Sequence, residues 1–177
     1  IELVGLALSM KDEGNCGIAF TYNEPLVSYE YVRDTAEIAR EQGLETVVVT
    51  NGQLTTRFLE ELLPLITAWN IDLKAFSEQA YRRLGGDLET TKETIRRAAA
   101  HAHVEVTTLV VPGLSDDSKE MEAEAKFLAS IDPQLPLHLT RYFPRYRSTE
   151  KATDIALLHE LRDIASQHLD RVILGNV

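Results

Sequence analysis

Six short apolar runs in this chain each end in a small polar tip. The tips are Thr21-Tyr22-Asn23-Glu24-Pro25, Thr50-Asn51-Gly52, Asp72-Leu73-Lys74, residues 112–117, residues 141–145 and Gly175-Asn176-Val177. The first five are each followed by a stretch with helical patterning. Strand, tip and helix in repetition is how a parallel sheet wrapped by helices is written in sequence, because each crossover must bring the chain back to the edge it started from. The carboxyl ends of all strands then share one face, and ligands bind there. The tips recur roughly every thirty residues, the size of one βα unit. That period is compatible both with an open doubly wound sheet and with a closed or partial barrel.

Along the chain, residues 1–12 carry apolar positions at near-helical spacing and Gly14-Asn15 ends that helix. Strands are expected over 16–22, 45–50, 68–73, 104–111, 135–142 and 171–174. Helices are expected over 25–41, 54–66, 77–84, 89–101, 118–130 and 153–169. Pro25 suits a first helical turn, where its missing N–H costs nothing, and Gly43 suits a helix stop. Val47-Val48-Val49 is a β-branched run fit for a strand buried on both faces. Cys16, at the start of an apolar strand, reads as a small core residue.

The formal net charge of -10 argues against nonspecific binding to nucleic acid or to an anionic membrane. A local basic patch remains around Arg141, Arg145 and Arg147. No apolar stretch is long enough to span a bilayer, and no secretory signal is present. The single Cys excludes an internal disulfide framework, so the expected compartment is the cytoplasm. The chain opens on Ile1 rather than Met and closes on a strand tip with no helix behind it. We therefore expect one domain over 1–177 that is part of a longer polypeptide, cut at both ends.

Each tip has a chemical and a bland reading. Glu24 can accept hydrogen bonds from an ammonium group, or simply cap the helix that follows. Thr50-Asn51-Gly52 offers a hydroxyl, an amide and a flexible backbone, and is equally a turn. Strand alternation puts Asn70, Asp72 and Lys74 on one face and Ile71 and Leu73 on the other. Three polar side chains on one face of an inner strand are costly without partners or a ligand; a structural Asp–Lys pair is the simpler account. Ser115, Asp116 and Asp117 are expected to serve the next helix as caps. His138 shares a strand face with Thr140 and is either a satisfied core residue or a ligand contact.

Taken together and in order, Tyr22-Asn23-Glu24-Pro25, Thr50-Asn51-Gly52, Asn70-Ile71-Asp72-Leu73-Lys74, Val111-Pro112-Gly113-Leu114-Ser115-Asp116 and Gly175-Asn176-Val177 resemble radical S-adenosylmethionine enzymes. The group is the one related to pyruvate formate-lyase activating enzyme, and within it the subgroup called the AmmeMemoRadiSam system radical SAM protein. The segments 104–109 and 137–141 match that subgroup too. The resemblance implies an α/β fold, a partial, TIM-like (β/α)6 barrel with mostly parallel strands, here with its first unit missing. It also implies a 4Fe–4S cluster held by three Cys in a CxxxCxxC loop, which this sequence lacks; one Cys cannot hold such a cluster. The implied reaction is reductive cleavage of S-adenosylmethionine to a 5′-deoxyadenosyl radical that abstracts hydrogen from a substrate. An external electron donor is implied. The substrate is left open among a protein glycyl site, a peptide and a small molecule.

By the same resemblance, Asn23 and Glu24 match the position that holds the methionyl amine, with Tyr22-Asn23 replacing the usual Gly-Gly. Thr50, Asn51 and Asp72 match positions near the methionyl carboxylate and ribose. Lys74 and His138 match cofactor-contacting residues. Val49 stands where glycyl-radical activases have an Asp, and Thr107 where they have a cofactor-binding Arg. Two other functions fit the strand-tip pattern: a Schiff-base lyase or aldolase using Lys74, polarised by Asp72, and a non-catalytic binding module.

Overall fold

A computed structural model describes residues 2–177. The strands are β1 (Gly17–Phe20), β2 (Glu45–Thr50), β3 (Ala68–Asp72), β4 (His103–Val110), β5 (Leu137–Arg141) and β6 (Val172–Gly175). The α-helices are α1 (Glu2–Ser9), α2 (Tyr29–Glu41), α3 (Thr56–Leu62), α4 (Glu78–Leu84), α5 (Leu88–Ala99), α6 (Ser118–Ile131) and α7 (Ile155–Ala165). The strands form one sheet in the order β1-β2-β3-β4-β5-β6, and every neighbouring pair is parallel. β1 and β6 are not paired to each other, so the sheet is open. It is the expected α/β partial barrel, with strands all parallel rather than mostly so.

Side chains that start each helix explain where the chain turns. Asp87 accepts from the Thr90 N–H, Asp117 from those of Lys119 and Glu120, and Asp154 from that of Ala156, so carboxylates cap α5, α6 and α7. Ser77 caps α4, and Gly85 ends it in the left-handed conformation. The stretch expected as one helix from Pro25 is instead a 3-10 turn, Pro25–Ser28, that leads into α2. Glu24 caps that turn. The expected helix over 54–66 is shorter, because Leu54 belongs to the turn after β2 and Pro64 lies past the end of α3. Thr153 is likewise outside α7, which begins after the Asp154 cap.

Alternation along the strands divides the sheet into two faces. Val48, Ile71, Val106 and Leu139 lie on the convex face under the helices and are fully buried. The opposite, concave face is half-open: it carries Val47, Val49, Asn70, Asp72, Glu105, Thr107, His138 and Thr140, all partly exposed. Val47-Val48-Val49 is therefore buried on one face only, contrary to the reading of a doubly buried strand. Cys16 is also corrected: it is exposed, one residue before β1 at the edge of the sheet. Ile18 and Phe20, in phase with it along the strand, are buried, so burial on that side begins only inside β1.

Candidate functional site

At the carboxyl end of the sheet, Glu24 clasps the tips of β1 and β2. One carboxylate oxygen accepts from the Leu26 N–H at 3.2 Å and from the Thr50 hydroxyl at 2.8 Å; the other accepts from the Asn51 N–H at 2.7 Å. The capping and site readings of Glu24 thus coincide in one group, since the residue that caps the turn also fixes the neighbouring tip. The Asn51 side-chain oxygen accepts from the Gln53 N–H at 2.8 Å. Gly52 has a φ of +70°, and a Cβ there would stand 3.0 Å from Ile71 Cγ2, so glycine is required by both backbone conformation and close approach. The Gly52 carbonyl then accepts from the buried Thr94 hydroxyl at 2.8 Å, which ties the β2 tip to α5.

Beside this clasp, Lys74 Nζ lies 2.6 Å from Asp72 Oδ2 at the end of β3. The lysine is held as an ion-pair partner rather than offered as a free amine, which weighs against the Schiff-base function. The β3 tip is braced from beneath. Thr108 Oγ1 lies 2.9 Å from the Leu73 carbonyl oxygen and 2.5 Å from Glu124 Oε1. A carbonyl can only accept, and the hydroxyl has one proton, so the short contact takes its proton from Glu124. This agrees with the direction of the carboxyl's shift: burial on α6, with help from the nearby Glu120, pushes it from 4.5 to about 8. A neutral acid, Glu124 passes one hydrogen bond through Thr108 to the backbone next to Asp72 and Lys74.

The concave wall continues the polar surface. Thr107 donates to the Asn70 side-chain oxygen at 3.0 Å. His138 Nε2 lies 2.7 Å from one oxygen of Glu105, and His103 Nε2 lies 3.1 Å from the other. A carboxylate accepts, so both imidazoles carry their proton on Nε2. Burial raises the Glu105 carboxyl, but the hydrogen bonds from His103 and His138 outweigh it and hold the group below its ordinary value. Asp72, Lys74, Thr107, Leu109 and Thr140 line a hollow of about 310 Å³ at the strand ends. Lys74 also borders a side pocket of about 110 Å³ that reaches Asn51 and Gln53.

Of the residues singled out from sequence, Glu24, Thr50 and Asn51 meet directly, and Asp72 and Lys74 pair at the neighbouring tip. Asn23 is exposed at the β1 tip. His138 stands in the same register row as Thr107, which is paired with Asp72, and is turned down the wall onto Glu105. Ser115, Asp116 and Asp117 divide their work: Asp117 caps α6, whereas Ser115 and Asp116 close the turn before it through Val111 and Gly113. Sequence reading passed over Gln53, Glu105, Glu124 and Thr153. For Glu105 the usable signal is a carboxylate in phase with Thr107 and His103 on a strand whose other face carries Val104, Val106 and Val110. For Glu124 there was none, since a glutamate among the several acidic residues of α6 looks solvated.

The family model of the Radical SAM superfamily matches residues 2–125. The chain belongs to that superfamily. An uncharacterized protein of Methanocaldococcus jannaschii is 36% identical over 168 residues, covering 92% of this chain and 50% of the relative. The pyruvate formate-lyase-activating enzyme of Clostridium pasteurianum is 23% identical over 162 residues, covering 90% of this chain and 67% of the relative. A solved domain of pyruvate-formate lyase-activating enzyme from Bacteroides vulgatus superposes with a TM-score of 0.75 at 22% identity, over 90% of this chain and 99% of that one. That likeness supports the fold. The chain spans about half the length of the Methanocaldococcus relative. The 4Fe–4S cluster general to this family does not fit the residues present: the one Cys is exposed, and among the described residues no group of three or more His, Cys, Asp or Glu is placed to hold a metal. Among the described residues no helix is long and apolar enough to cross a membrane.

Proposed function

We propose that this chain is the S-adenosylmethionine-holding part of a radical enzyme of the pyruvate formate-lyase activating type, an oxidoreductase that draws on an external electron donor. The observation that carries the reading is the adjacency of the Glu24–Thr50–Asn51 clasp to the hollow lined by Asp72, Lys74 and Thr107, all at the carboxyl end of one parallel sheet. S-adenosylmethionine held here would supply radical hydrogen-abstraction chemistry once reduced by the external donor. The chain's own residues bind and orient it. Asp72 accepts from ribose hydroxyls or the methionyl ammonium, and Lys74 neutralises the carboxylate. Glu24 keeps the two tips at a fixed spacing, with Asn23 and Asn51 presenting amides beside it, and Thr140 borders the pocket from β5, with His138 held on Glu105 next to Thr107. The apolar side chains of Leu84, Leu109 and Leu114 at the same hollow exclude water from an apolar or aromatic part of the ligand. The cluster ligands are not among these residues, so the chain alone does not carry out the reaction.

The test is calorimetric titration of the intact protein with S-adenosylmethionine. Asp72→Ala is expected to weaken binding at least about tenfold, the loss of one charged hydrogen bond, with no change in unfolding midpoint beyond that of a half-exposed residue. Affinity equal to the parent's in Asp72→Ala would remove the assignment.

A further inference from the structure

A second hollow, of about 450 Å³, opens at the ends of β4, β5 and β6 and is lined by Leu109, Arg141, Tyr142, Phe143, Arg145 and Asn176. It shares the Leu109 wall with the hollow that holds Asp72 and Lys74. Its chemistry is opposite to that of the molecule as a whole. The chain carries a net charge of -10, yet residues 141–151 contain Arg141, Arg145, Arg147 and Lys151 against the one carboxylate of Glu150. Elsewhere the cations are largely spent: Arg33, Arg57, Lys74, Arg97 and Arg162 each stand within 4.0 Å of a carboxylate oxygen. Among the described residues, Arg141, Arg145 and Arg147 have no such partner.

Arg141 is also built into place. Its Nε donates to the Thr153 carbonyl at 2.9 Å, and its guanidinium carbon lies 4.7 Å from the centre of the Phe143 ring. Thr153 is fully buried and is itself a clip: its hydroxyl donates to the Val110 carbonyl at 2.6 Å and accepts from the Tyr142 N–H at 2.9 Å, and its own N–H donates to the Tyr142 carbonyl at 3.1 Å. The Asn176 amide donates to the Arg141 carbonyl at 3.3 Å, which fastens the β6 tip to the same residue. The Tyr142 hydroxyl reaches Ser148 Oγ, and the Ser148 N–H donates to the Arg145 carbonyl at 3.2 Å, so the loop closes on itself. A guanidinium oriented through its Nε keeps its terminal N–H groups for another acceptor. Such a fork matches the paired oxygens of a carboxylate or phosphate.

We propose that this hollow is the substrate pocket and that it takes a small molecule carrying an oxyanion group, a carboxylate or a phosphate. The oxyanion sits on Arg141 and Arg145, and the body of the molecule lies over Leu109 toward the neighbouring hollow. The role as substrate pocket rests on the cofactor reading of that neighbour; the binding of an oxyanion does not. Because the rest of the protein repels anions, the segment 141–151 supplies the attraction locally, and only an oxyanion that gains the fixed fork overcomes the general field.

The experiment follows the arginine Nε–Hε resonances of the intact protein during titration with inorganic phosphate, with succinate, and with chloride at matched ionic strength. The expected result is a saturable shift at Arg141 with phosphate, succinate or both, and only a small linear drift with chloride. Arg145→Gln and Arg141→Lys are each expected to weaken that binding by about tenfold, with unchanged unfolding midpoint for the exposed Arg145→Gln. The same drift with all three salts, or saturation untouched in both variants, overturns the proposal. Tight binding of a poly-glutamate peptide without binding of either small oxyanion overturns it in favour of a protein partner. Calorimetry with S-adenosylmethionine on the same samples separates the two readings: saturable oxyanion binding without cofactor binding keeps the site and removes the radical-enzyme reading.

Discussion

Along β3 and the two residues after it, Trp69, Ile71 and Leu73 lie against the helices and are buried, while Asn70, Asp72 and Lys74 lie on the concave side, the last two at the hollow. The same division runs across the sheet, and carboxyl groups behave differently on its two sides. Glu124, on the helix side, is deprived of water and remains a neutral acid up to about pH 8. Glu105, on the concave side, is partly exposed and paired with two imidazoles, and it ionises more readily than an ordinary glutamate. One face accordingly supplies cohesion and tolerates a polar group only if it is uncharged or fully paired. The other keeps charges that a ligand can use.

The sharpest challenge to this division sets adjacent residues of one strand against each other. Ile71→Ala, on the helix side, is expected to lower stability in urea unfolding by about 2–5 kcal/mol, through lost transfer energy and the cavity left behind. Asn70→Ala, one residue away, removes one hydrogen bond to Thr107 and is expected to cost about 1 kcal/mol. Equal losses would show that the concave face is a second core.

A pH series tests the two carboxyls. The folded protein keeps a proton on Glu124 that the unfolded chain releases near 4.5, so the group's contribution to stability is complete below about pH 4.5 and is lost as the pH rises through about 8. Glu124→Gln keeps the hydrogen bond to Thr108 and cannot ionise. At pH 9 it is expected to be more stable than the parent by up to about 5 kcal/mol, with no advantage at pH 4. A parent stability that does not fall between those values would place an ionised Glu124 in the core.

Glu105 has the opposite sign and a smaller effect. Its folded value is depressed, so its contribution is present above about 4.5 and disappears as the pH drops below that. Being partly exposed, it is expected to contribute about 0.5–1 kcal/mol. In Glu105→Gln the small loss of stability on acidification is expected to vanish, and the His138 ring resonances to move. Unmoved His138 resonances would detach that histidine from the carboxylate.

The strands, their parallel order and the clustering of tips could be read from residues alone, since period-two patterning and Asx or Gly punctuation act locally. Asp72 and Lys74 were identifiable because alternation isolates polar groups on an inner strand. The misreadings have a common origin. Cys16 and the triple valine were judged by their own hydrophobicity, whereas burial depends on which helix covers which face. Glu124 and Thr153 were passed over for the converse reason: they are polar in sequence and acquire their importance from groups on other elements.

What the amino-acid order decided here is short-range: where each strand stops, which residue caps the next turn, which side chains share a face. Three-dimensional packing decided the rest. It turned a capping glutamate into the clasp between two strands, kept a buried acid protonated, and set Arg141 and Arg145 beside one hollow. Those outcomes depend on dielectric surroundings and on partners between 16 and 43 positions apart, such as Thr108 with Glu124 and Val110 with Thr153, and no local pattern encodes them.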